Sequence, residues 1–208
     1  NNPGYPDPYS RGAAGNVPLS PNFPQPNPPV LVAYTATIGL QREILPSRSH
    51  GADYVNAKGR HLISIVDTNP VTPPTFTQPD PTRGFVRDLE STGHSDYQAA
   101  FFGVNKRFGA RGQIGGAYTI SKGKTTNEAE NGTYQQDDRT PDDAYGYTNL
   151  DQRHRVVLNG SLRLPLGIQI GGVLMARTGT PVNITTGTDN NRNGVVNDRP
   201  DLASGAAL

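Results

Sequence analysis

Apolar and polar residues alternate along most of this chain. Between Leu31 and Glu43, Val32, Tyr34, Ala36, Ile38 and Leu40 fall on one side, and Ala33, Thr35, Thr37, Gly39 and Gln41 on the other. Period two is the mark of a strand, whose successive side chains point to opposite faces. After the short connection Leu45-Pro46-Ser47-Arg48-Ser49, a weaker strand is predicted through Ala52, Tyr54 and Asn56 toward His61-Leu62-Ile63. The signal resumes from Ser95 to Phe108 and turns at Gly109-Ala110. It returns from Arg111 to Lys122 with Ile114, Gly116, Tyr118 and Ile120 on one face. A further strand, Asp151 to Leu164, sets His154, Val156, Leu158, Gly160 and Leu162 against Arg153, Arg155, Val157, Asn159, Ser161 and Arg163. The minimal turn Pro165-Leu166-Gly167 leads into its partner, Ile168 to Thr178, with Arg177 on the polar side.

The segments between these strands differ sharply in length. Residues 1–30 are rich in proline, which removes donors and restricts φ, so a loop or arm is expected there. Long polar loops are expected over 67–94 and 123–150, and a polar loop over 187–208. The pattern is six strands in three hairpins, each about 10–14 residues, against about 5–6 in soluble sheets. A tilted strand crossing a membrane needs about 9–11 residues. Strict alternation of minimal turns with long loops is the habit of outer-membrane barrels. The expected fold is therefore all-β: an antiparallel meander of about six long strands over 31–186, part of a transmembrane β-barrel. A soluble sheet would turn its polar side to water instead. What covers the apolar side decides the matter, and little apolar sequence is left for a second layer.

Composition narrows the field further. Hydrophobic residues make up only 33% of the chain, beside 24 Gly and 19 Pro, which argues against an ordinary compact domain. The formal net charge of +1 gives no reason to expect a nucleic-acid partner. The absence of Cys excludes disulfides and thiolate chemistry without fixing a redox compartment. No secretory leader opens the chain, as expected of a mature product or an internal segment. No apolar run approaches the ~20 residues of a membrane helix, so any spanning falls to strands.

Five strings in order carry a resemblance: Val55-Asn56-Ala57-Lys58-Gly59-Arg60-His61-Leu62, Ala117-Tyr118-Thr119-Ile120-Ser121-Lys122, Asn149-Leu150-Asp151-Gln152-Arg153-His154-Arg155, Arg177-Thr178-Gly179-Thr180-Pro181 and Asp198-Arg199-Pro200. Together they resemble the TonB-dependent outer-membrane receptors of the Oar-like subgroup, whose members carry an N-terminal carboxypeptidase-regulatory-like domain. The resemblance spans roughly Val32 to Leu202. It implies a parent barrel of about 22 strands around a plug. Its implied partners are outer-membrane lipid, the rest of that barrel and plug, and the inner-membrane energising complex. Plug, energy-coupling box and terminal aromatic strand are not found here. Six strands cannot close such a barrel and leave open edges.

Candidate chemistry is sparse. Arg153, Arg155, Arg163 and Arg177 fall on the polar face and are candidates to line a lumen and pair with acids. His154 would then point the other way, toward the interfacial region. No nucleophile and base are specified beside these residues, so no catalysis is expected. The acidic insert, with Glu128, Glu130, Asp137, Asp138, Asp142 and Asp143, reads as a solvated loop that could also bind cations or basic ligands. Its Tyr134, Tyr145 and Tyr147 are candidates to stack on sugar or chelator ligands. Tyr54, Tyr97 and Tyr118 suit an aromatic belt at the lipid boundary, or core packing in a soluble sheet. Asp189, Asn191, Asn193 and Asp198 offer oxygens at alternating positions around Gly194, as calcium loops do. Position twelve of an EF-hand count is Pro200 rather than Glu, though Asp198 could close a shorter loop; a polar turn is the competing reading. No other cofactor is expected.

Three functions fit these residues. The first is a part of a transport barrel taking up an unidentified solute. A soluble extracellular β-rich module binding carbohydrate or calcium is the second, and a surface adhesion or structural barrel the third.

Overall fold

The computed structural model describes residues 21–72, 74–127, 137, 140–193 and 195–200. Among the described residues, eight strands form one sheet. They are β1 (Asn22–Pro24), β2 (Val32–Leu45), β3 (Arg48–Asp67), β4 (Arg87–Arg107), β5 (Gly112–Thr125), β6 (Gly146–Tyr147), β7 (His154–Arg163) and β8 (Gln169–Arg177). The six long ones lie in the order β2-β3-β4-β5-β7-β8, every neighbour antiparallel. The sheet is open, with β2 and β8 at its edges. Both short strands are additions at the long-loop end: β1 runs parallel to the start of β4, and β6 pairs with the end of β5.

Turn chemistry explains the short connections. Only Pro46 and Ser47 separate the paired Leu45 and Arg48, a tighter turn than the sequence suggests; Ser47 takes φ +64° and its N–H donates to the Glu43 carboxylate at 2.8 Å. Gly109 and Gly112 both take positive φ around the second turn, and Leu166 and Gly167 around the third. Leu164 closes that third turn by donating to the carbonyl of Ile168 at 2.7 Å.

The long connections are shorter than the composition implied. Strand β4 begins at Arg87, so the expected loop 67–94 contracts to 68–86. Residues 87–90 pair with Ser64–Asp67, beyond register shifts at Arg60/Leu62 and Leu62/Ser64. Those bulges, with His61 at φ +61°, break the alternation that marks a strand in sequence. Likewise the expected loop 123–150 is invaded from both sides, by β5 running to Thr125 and by β6. Strand β7 starts at His154 rather than Asp151. Within the Pro-rich opening, Asn22–Pro24 is strand; residues 1–20 lie outside the described residues, as do 201–208 of the expected C-terminal loop.

Register assigns the two faces. One carries Ile38, Tyr54, Ala100, Ile120 and His154 in a row, and below it Leu40, Ala52, Phe102, Tyr118, Val156 and Ala176. The opposite face carries Thr37, Val55, Ala99 and Ser121, then Gly39, Asp53, Phe101, Thr119, Arg155 and Arg177. Among the described residues, Ala99 is the one buried hydrophobic residue. Ile38 and Leu40 are 73% and 72% exposed, and Leu158, Ile170 and Leu174 of the same face are exposed too. Leaving one such side chain in water forfeits about 1.5–3 kcal/mol. A continuous face of them is stable only against an apolar solvent. No second protein layer covers it among the described residues.

Candidate functional site at the long-loop end

The polar face and the long loops meet at one end of the sheet. There the hydrogen-bonding changes from strand ladders to side chains that grip backbone. Asp151, buried, accepts from the Gly123 N–H at 2.7 Å and pairs with Arg153 at 3.4 Å, which ties the start of β7 to the end of β5. Ser121 adds a hydroxyl bond to the Gln152 carbonyl at 2.9 Å. Under this junction the polar face forms a groove of about 470 Å³ bordered by Tyr97, Phe101, Thr119, Ser121, Asp151 and Arg155. Its wall mixes aromatic area, hydroxyls and charges of both signs, with Asp96 and Lys124 also along it, the mixture that small-molecule sites use.

The four arginines do not form one site. Arg155 and Arg177 are register partners on the polar face at this end. Arg163 lies at the opposite, short-turn end, around a hollow of about 200 Å³ shared with Arg107 and Arg111. Arg153 leaves the polar face: it precedes the strand, and its guanidinium lies 5.1 Å from the Tyr147 ring centroid, beside Lys122 and Lys124 of the other face. Two like charges directly opposed repel across a strand pair. Arg155 and Arg177 therefore favour a wet, acid-bearing surrounding over a dry one.

The tyrosines also separate. Tyr134 lies outside the described residues, with Glu128, Glu130 and Asp138. Tyr145 stacks on His94 with centroids 5.0 Å apart and donates to Asp96 at 3.0 Å, while Arg60 pairs with that carboxylate at 3.3 Å. Partial burial, and then the bond to Asp96, push the Tyr145 phenol above its ordinary value. Tyr147 goes the other way, because the Lys122 ammonium beside it favours the phenolate. Both rings are engaged by protein groups. Tyr54 and Tyr118 lie on the apolar face, whereas Tyr97 is on the polar face and in the groove, a correction to its expected place in a lipid belt. Tyr118 donates to or accepts from the Nδ1 of His154 at 2.7 Å and lies between that ring and Phe102, an aromatic row across three strands.

Two residues that sequence reasoning passed over organise the rest. Asn69, buried at the start of loop 68–86, bonds across to Asp80 and Gly84 on its returning side. Phe76 of that loop lies 4.4 Å under Arg192, joining it to the segment that carries Asp189, Asn191, Asn193 and Asp198. In that segment Asn193 N–H donates to Asp189 Oδ1 at 3.0 Å and to Asn191 Oδ1 at 2.9 Å, and Asp198 accepts from the N–H groups of Asn190 and Asn191. The four residues are thus brought together; Gly194 is outside the described residues.

The chain matches a family model described as an outer membrane beta barrel domain over residues 1–208. No curated protein and no solved structure matches it. An uncovered apolar face, long tilted strands and turns of alternating length are what that family requires. This chain belongs to the outer membrane beta barrel domain family, and its place is the bacterial outer membrane.

Proposed function

We propose that this domain is part of the barrel wall of a TonB-dependent receptor of the Oar-like group, and serves uptake of a solute as a conduit rather than a catalyst. The observation that carries the reading is where the five strings fall. Val55 to Leu62 and Ala117 to Lys122 run from mid-strand toward the long-loop end, Asn149 to Arg155 and Arg177 to Pro181 lie at that end, and Asp198 to Pro200 closes a loop. Two of them line the groove, through Thr119 and Ser121 and through Leu150, Asp151, Gln152 and Arg155, and the start of a third supplies Arg177, the register partner of Arg155. Within these strings Thr119, Ser121, Asp151 and Arg155 border the polar hollow, and hydroxyls and charges along such a hollow suit a ligand path. On this reading lipid covers the Leu158 face, further strands continue from β2 and β8, a plug fills the lumen, and the inner-membrane energising complex drives it.

The test is uptake by cells with and without the complete parent. Ferric siderophores, cobalamin and radiolabelled oligosaccharides serve as probes. Uptake of at least one should fall to background on deleting the parent or the energising complex. Unchanged uptake of every probe, together with loss of surface attachment, would assign the barrel to adhesion instead.

A further inference from the structure

We propose that the loop from Asp189 to Asp198 is a calcium site built from Asp189, Asn191, Asn193 and Asp198. The sequence supplies hard oxygens at alternate positions, and a flexible turn can wrap them around one ion. The structure adds two things. First, the side chains of Asp189 and Asn191 converge, since their oxygens accept from the same N–H, that of Asn193. Asn193, itself buried, accepts from the Val195 N–H at 2.8 Å. Asp198 closes the ring from the far side, one carboxylate oxygen against the N–H groups of Asn190 and Asn191.

Second, and independently of that ring, Asp198 is only 2% exposed and its other oxygen, Oδ1, is buried with no hydrogen-bond donor. A buried carboxylate oxygen without a partner is costly, and native structures rarely keep one without an ion or water to satisfy it. The nearby guanidiniums do not serve. Arg192 lies over Phe76, and Arg199 donates to Asn183 Oδ1 at 3.0 Å. A divalent cation would balance the charges of Asp189 and Asp198.

Calcium fits better than magnesium. The donors are carboxylates and neutral amides in an irregular loop, and calcium accepts six to eight oxygens in flexible geometry where magnesium demands a near-ideal octahedron. Two carboxylates hold calcium loosely, at about 10⁻⁴–10⁻³ M as in extracellular modules. Such a site fills only where calcium is plentiful, outside the cell. Because Arg192 rests on Phe76, ordering this loop also orders the 68–86 loop over the same end of the sheet.

The test uses the full-length protein purified from outer membranes in detergent, stripped with chelator, and titrated calorimetrically with calcium chloride and then magnesium chloride. The wild type should bind one calcium more than Asp198→Asn, or bind that calcium about tenfold or more tightly. Asp189→Asn should behave alike, with both variants retaining the heat-modifiable band of a folded barrel. Calcium should also slow protease cleavage within 186–199 in the wild type and not in Asp198→Asn. Equal calcium binding by wild type and both variants would overturn the site. So would magnesium binding as tight as calcium, or no effect of calcium on cleavage.

Discussion

A Cβ on Gly112 would lie 2.1 Å from the carbonyl oxygen of Ser161, the neighbour of its register partner Leu162. Gly112 also holds φ +149° and ψ −168°, a region essentially reserved for glycine. It stands where the Gly109–Arg111 turn enters β5. Gly112→Ala therefore meets two penalties, a backbone strain of about 1–3 kcal/mol and a collision with main chain that cannot rotate away. Detergent-solubilised protein carrying this change should melt at lower temperature than wild type. Gly172→Ala, in open space on the exposed face of β8, should leave the melt within experimental scatter.

Leu158 and Asn159 are adjacent and both exposed, yet they point to opposite sides of the sheet. If lipid covers one side and water the other, the same substitution should cost differently at the two. Leu158→Arg sets a charge in hydrocarbon, which costs about 2–4 kcal/mol near the bilayer midplane. Asn159→Arg sets it on the polar face beside Gly115 and should be tolerated. Equilibrium folding of the parent into lipid vesicles against urea reads both. Equal losses would place both sides in the same solvent.

Tyr147 lies in the connection beyond the spanning strands, with Lys124 and Lys122 at 4.9 and 5.5 Å from its ring and Arg153 close by. The Lys122 charge is the main cause holding its phenol below the ordinary value of 10.0. A depressed acid is the sign to follow. The loop gains from the phenolate as pH rises through the folded value, keeps that gain above the unfolded value, and loses it as pH falls back. Subtracting the tyrosinate absorbance of Tyr147→Phe from wild type should isolate a transition earlier than that of free tyrosine. In Lys122→Gln the transition should move upward, toward the ordinary value.

Legibility in the sequence followed how regular the backbone is. β5, β7 and β8 alternate without a break, as does β2 up to the register shift at Glu43/Leu45, and their faces could be assigned residue by residue because register preserves the alternation. The upper part of the β3–β4 ribbon could not. His61 at positive φ and two register shifts reset the phase there, and the polar run from Arg87 to His94 looks like loop chemistry because it pairs beyond the lipid-facing rows. Arg153 departs from the pattern by a single residue: the alternation extends to it, but the backbone bends before His154 and the side chain lies over Tyr147. The Asp189–Asp198 pattern was visible as spacing. That Asp198 is buried, with one oxygen unanswered, depends on the loop's own folding and has no trace in composition.

Asn69 had no sequence signal either, being one asparagine in a stretch of prolines and threonines, yet its bonds show why loop 68–86 holds its shape. It is 3% exposed. Its Nδ2 donates to the carbonyls of Asp80 and Gly84 at 3.0 and 2.9 Å, and its Oδ1 accepts from Asp80 N–H at 2.8 Å. Its own N–H donates to Asp67 Oδ1, which also accepts from Val86 N–H, so one asparagine and one aspartate fasten the base and the middle of the loop. Asn69→Ala leaves main-chain groups unanswered, at about 1–3 kcal/mol for a buried one. Asn69→Asp should be worse: it keeps an acceptor for Asp80 N–H but loses both donors and sets a negative charge against two carbonyl oxygens. Because the loop lies beyond the sheet, the loss should stay local. Hydrogen exchange should therefore quicken across 69–86 in the order wild type, Asn69→Ala, Asn69→Asp, while β5 and β7 keep their protection. Exchange that quickens equally in those strands would mean that the loop is part of the sheet's cooperative unit rather than a cap upon it.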